Sequence, residues 1–138
     1  MSGNTPPHLR TVLATSAARE EDDRCLPSLG DGDYRPFARP SHRPLYAIHF
    51  ITRQGSVRSF QYMHLDSDSS YSSECVMLRF NGFRIMNVLI AGRNLWELYD
   101  YIHQHRTAWV REAARDFAAD REAIVTNLSF IAANEPQS

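Results

Sequence analysis

Between Leu45 and Ala91 four runs rich in β-branched and aromatic residues follow one another, and in each run odd and even positions alike are apolar. Successive side chains of a strand point to opposite faces, so a sheet built from these runs is apolar on both sides. One covering layer cannot hide two such faces. Each large apolar side chain left in water forfeits roughly 1.5–3 kcal/mol, and contiguous exposed patches of that kind mark interfaces. The pattern therefore predicts an α+β domain with a curved antiparallel sheet or partly open barrel. Its second face must curl closed, meet the rest of the chain, or pack on another subunit.

The runs pair into two hairpins. Leu45–Thr52 and Val57–Leu65 flank Arg53-Gln54-Gly55, with Gly55 suited to the left-handed position of a three-residue turn. That register sets Phe50 opposite Arg58, Ile48 opposite Phe60 and Tyr46 opposite Tyr62, with the aromatics on one face. The second hairpin joins Glu74–Phe80 to Phe83–Ala91 through Asn81-Gly82, a favoured pair for a two-residue type I′ turn. Counting outward, Phe80 meets Phe83, Arg79 meets Arg84 and Met77 meets Met86. Met77, Met86, Val88 and Ile90 then share one apolar face, the candidate interface.

Gly92 breaks the strand pattern. Asn94 with Glu97 reads as an N-cap and its capping partner. Apolar residues from Leu95 to Phe117 fall on one helical stripe, which predicts a single long amphipathic helix over residues 94–119. Arg106 sits inside that stripe and needs a partner or a helix break nearby. Ala123–Ile131 is ambiguous: its β-branched and aromatic residues favour a fifth strand, the reading chosen here, while Asp120-Arg121-Glu122 and the lack of a glycine stop would let the helix continue.

With 138 residues the chain has room for one domain. Six of its seven prolines and an acidic run lie at or before residue 44, which marks residues 1–43 as a flexible, proline-rich arm ahead of the domain at 44–133, with a disordered end at 134–138. Tyr34 and Phe37 could dock the end of that arm as an extended segment; a plain linker is the simpler reading. Two cysteines are too few for a stapled secreted domain or a four-cysteine zinc site. Neither a signal peptide nor a membrane-length apolar run is present, so the expected location is the cytoplasm.

No nucleophile elbow, phosphate loop, dinucleotide fingerprint or histidine-glutamate zinc helix occurs, and no catalytic residue, metal site or cofactor is assigned. The Asp66–Ser73 stretch reads as a solvated loop whose aspartates and serines cap their own turns. Arg58, Arg79 and Arg84 form a candidate anion-binding set, because two arginines opposite each other on a hairpin repel unless an anion joins them. Against nucleic acid stands a net charge of −1. The sequence points first to a non-catalytic interaction module that self-associates, as a homodimer or larger homo-oligomer, or holds a protein partner through its second sheet face. A nucleic-acid- or anion-binding protein is the alternative.

Overall fold

The computed structural model describes residues 34–116 and 121–133. The expectations for residues 1–33 and 134–138 lie outside them. The chain forms β1 (Ala47–Ile51), β2 (Val57–Gln61), a 3-10 turn (Tyr62–His64), β3 (Ser70–Tyr71), β4 (Cys75–Asn81), β5 (Ile85–Arg93), α1 (Trp96–His103), β6 (Trp109–Arg111) and β7 (Ile124–Ala132). Two sheets result, ordered β2-β1-β6 and β3-β4-β5-β7, and they are not closed into a barrel. Their facing sides enclose one core in which Ile48 and Phe50 of β1 meet Leu78 and Phe80 of β4, Val88 and Ile90 of β5, Leu98 and Ile102 of α1, and Val110 of β6. No helix among the described residues is long and apolar enough to cross a membrane.

The first hairpin has the expected register, with Phe50 opposite Arg58 and Ile48 opposite Phe60, and Gly55 takes φ 91° in its turn. Tyr46 departs from expectation: it lies almost wholly in solvent, outside the aromatic cluster that Phe50, Phe60, Phe80 and Phe130 form. In the second hairpin the register differs. Asn81 pairs with Ile85, Phe80 with Met86, Leu78 with Val88 and Val76 with Ile90, leaving Gly82-Phe83-Arg84 as the loop. Neither Asn81 nor Gly82 takes the positive φ that a type I′ turn requires. The observed pairing aligns the apolar residues of both strands on the core side, and that burial outweighs the local turn preference. The Asn81 side chain instead donates to Asp66.

The long helix is not formed. α1 ends at His103, His105 adopts φ 59°, and Arg106 N donates to Tyr101 O while His105 N donates to Ile102 O. These two bonds make a Schellman stop with histidine at its left-handed position. Asn94 does not cap the helix: Leu95 holds that place, and Asn94 Nδ2 donates to Glu122 O. Released from the helix, Arg106 donates to Ser41 O and Gln104 Oε1. Trp109–Arg111 are then free to run parallel to β1. The fifth strand is present as β7, antiparallel to β5.

Residues 34–43, assigned from sequence to the arm, lie along β6. Ala38 N donates to Trp109 O, Arg111 N donates to Pro36 O, and Phe37 bridges Val110. Ala38 also buries itself with Ile51, Ala108 and Trp109 on the outer side of the β1-β6 pair. The Tyr34 hydroxyl donates to Arg111 O and accepts from Val125 N, and burial pushes its pKa up to about 12.

Glu112 ties the two sheets together. Its buried carboxylate accepts Arg53 N at 2.9 Å and Leu128 N at 2.8 Å, and Arg53 Nε lies 3.3 Å away. Burial alone pushes this carboxyl up, but the two backbone N–H groups and the guanidinium overcome that and hold it below the ordinary glutamate value of 4.5. Gly92 is not a strand breaker; it sits within β5 at the bulge facing β7, where a Cβ would collide with Ile124 O.

Two outcomes follow from these contacts. Glu112→Gln replaces one accepting oxygen with an NH2 donor that faces a backbone N–H donor, and is expected to cost about 2–3 kcal/mol at neutral pH, read by denaturant unfolding. Because the folded-state pKa is depressed, the contribution is complete above the ordinary glutamate range and fades as pH falls through the folded value; the gap between the two proteins should narrow on acidification. Gly92→Ala is expected to cost at least about 2 kcal/mol by wedging β5 from β7, seen as a lowered Tm.

Candidate interaction surface

A sheet edge exposes backbone N–H and C=O groups that must find partners in protein or water. Among the described residues most of the edges are occupied. The outer side of β6 receives residues 36–38. The outer side of β7 receives Ala113 N on Val125 O, the Glu112 carboxylate on Leu128 N and the Arg53 guanidinium on Thr126 O. The outer side of β4 carries β3, only two residues long, together with Leu65 opposite Phe80 and Asp66 N on Arg79 O.

β2 differs. It pairs with β1 on one side and ends its sheet on the other. Tyr62 N bonds Tyr46 O and Thr52 N bonds Ser56 O, so hydrogen-bonded pairs fall on even-numbered residues of the ladder. The N–H and C=O groups of Val57, Ser59 and Gln61 therefore point away from β1. β2 spans five residues without proline, and its one charged side chain, Arg58, is turned onto the Phe60 and Phe130 rings.

The space beside this edge is a groove of about 330 Å³ between Ser59-Phe60-Gln61 and the tip of the β4-β5 hairpin, where Phe80, Phe83 and Arg84 form the opposite wall. His64 lies at one end, packed so closely on Gly82 that a Cβ there would sit 3.1 Å from Nδ1. A second hollow of about 400 Å³ shares Gln61 and is lined by Leu45, Tyr46, Tyr62, Met63 and His105. Its floor is rigid: Tyr62 stacks on the His105 ring at 4.7 Å and donates its hydroxyl to Thr107 O at 2.6 Å. Burial pushes the Tyr62 phenol well up from its ordinary value. Around the two hollows stand Tyr46, 94% exposed, Met63, 78% exposed, and Phe83, fully exposed. No sequence periodicity singles these three out, because each sits at a strand end or in a turn where the period-two pattern stops.

The residues chosen from sequence separate. Val88 and Ile90 are fully buried in the core, Met86 packs partly buried against it, and Met77 is half-buried on the opposite face, paired with Leu89. Arg79 faces Asn87 instead of Arg84 and pairs with Asp68 at 3.2 Å. Arg58 lies over the Phe130 ring at 4.7 Å and the Phe60 ring at 5.9 Å, closing the core at the β2 side. Arg84 lines the groove without the other two.

The Asp66–Ser73 stretch caps itself as expected, with Asp68 N and Ser69 Oγ donating to Asp66. The backbone N–H of Asp68, with Asn81 and Ser67, holds the Asp66 carboxyl below its ordinary value. Tyr71, which sequence assigns to that loop, instead meets Trp96 and Tyr99 at 5.3 and 5.6 Å in a second surface cluster. Trp96 and Tyr71 remain exposed in it. Among the described residues no three His, Cys, Asp or Glu side chains are placed to hold a metal ion.

No family model matches the chain, and no curated protein and no solved structure matches it.

With the three arginines in separate surroundings, retention on a heparin matrix is expected to be weak and nearly unchanged in Arg58→Ala, Arg79→Ala and Arg84→Ala. A phosphate-binding site would instead show retention falling steeply with salt up to about 0.5 M and lost in those variants.

Proposed function

We propose that this domain is a non-catalytic interaction module that accepts an extended strand of another polypeptide along β2. The observation that carries the reading is the unpaired backbone of Val57, Ser59 and Gln61 beside the apolar rim of Tyr46, Met63 and Phe83. Strand addition satisfies such an edge with main-chain hydrogen bonds, while neighbouring pockets select side chains. The groove at Phe80 and Phe83 supplies a pocket for the inward-facing residue opposite Phe60, and Arg84 adds a positive charge at its wall. The docking element is thus a sheet edge with its rim, in place of the sheet face expected from sequence. The cytoplasm, where unpaired thiols persist, suits the free and half-buried Cys75.

A photoreactive benzoylphenylalanine in place of Phe83, introduced into the full chain in cells, tests this. An adduct with a polypeptide, absent when the probe replaces exposed Gln104, is the expected result. Adducts only with nucleic acid, or none above the Gln104 control, would overturn the docking role.

A further inference from the structure

We infer that the strand received by β2 is β2 of a second copy of this chain, paired antiparallel about a twofold axis at Ser59; this rests on the docking role proposed for that edge. The outward backbone groups belong to Val57, Ser59 and Gln61, so a new ladder must hydrogen-bond through these odd-numbered residues. Of the twofold registers that meet that condition, three join more than one pair of these residues within β2, with the axis at Arg58, Ser59 or Phe60.

An axis at Arg58 would pair only Val57 with Ser59 and would set two Arg58 side chains directly opposite each other, where like charges repel. An axis at Phe60 would run the ladder into the 3-10 turn at Tyr62–His64, whose backbone is not extended. The axis at Ser59 uses all five residues of β2. It sets Ser59 against Ser59 of the second copy, and at both ends Val57 against Gln61, so no like charges meet.

The same register places Arg58 of each copy opposite Phe60 of the other on the core side. Arg58 already lies against Phe60 and Phe130 within its own chain, and the groove beside Phe60 is open and lined by Phe80 and Phe83. A guanidinium crossing the axis therefore finds aromatic faces of the kind it packs on. Joining the two edges makes one sheet ordered β6-β1-β2-β2-β1-β6 and removes the open edge from both copies. A net charge of −1 per chain imposes little long-range repulsion between them.

Val57 and Gln61 are both exposed on the outer side of β2, and four residues apart on a strand they do not touch one another. Substituting both therefore tests the register with little effect on the fold. Light scattering on the full chain over a concentration series is expected to approach twice the 15.8 kDa of one chain. V57K/Q61K, which sets lysine against lysine at both ends, should weaken association roughly tenfold, and V57K/Q61E, which sets lysine against glutamate, should restore it. A wild-type mass of one chain at every concentration overturns the inference, as does equal weakening in both double variants. A monomer that still yields an adduct with a different protein from position 83 sinks the second copy alone; a monomer with no adduct sinks the docking role as well.

Discussion

Unpaired backbone at the margins of two small sheets is the constraint around which this domain is arranged. A short sheet has a large share of its residues at edges, and each uncovered N–H or C=O in a poorly hydrated place costs about as much as a lost hydrogen bond. The chain meets this with whatever passes nearby: residues 36–38 beside β6, Glu112, Ala113 and Arg53 beside β7, and two-residue β3 with Asp66 beside β4. The contrast with these covered margins makes the bare side of β2 informative.

Glu112 shows how tightly this arrangement is coupled. Its carboxylate reaches the turn of the first hairpin through Arg53 and the last strand through Leu128. The residue can do so because β6 follows the helix stop within a few positions and delivers Glu112 to the gap between the sheets. Had the helix continued, the segment from Trp109 onward would not lie beside β1, and residues 34–43 would have no strand on which to rest. The left-handed turn at His105 is thus the point on which the middle layer depends, and its stacking on Tyr62 joins it to the second hollow of the candidate surface.

The first hairpin, the seventh strand and the self-capped loop after Leu65 were legible because their signals are local: alternation of β-branched residues, a glycine able to take positive φ, aspartates within reach of their own backbone. The second register was misjudged because Asn81-Gly82 is a strong local preference, worth less than burying Val76, Leu78 and Phe80 with their three partners on β5. The helix was overextended for a similar reason. A stripe spaced for one helical face also fits residues shared between a short helix and a strand, provided both point into the same core. Of the candidate surface, Phe60 and Gln61 were placed on the correct strand, but the open edge was invisible, since which strand lacks a neighbour depends on the whole sheet order.

Local pattern alone determined that the chain builds paired antiparallel strands with more apolar surface than one layer can cover, because alternation and turn chemistry act over a few residues. Only the assembled structure decided how that surface is closed: by folding one sheet over the other, with α1 and the 34–43 segment filling the remaining sides. Those contacts join residues as far apart as Tyr34 and Val125, and their energy exists only once the intervening chain has been brought together.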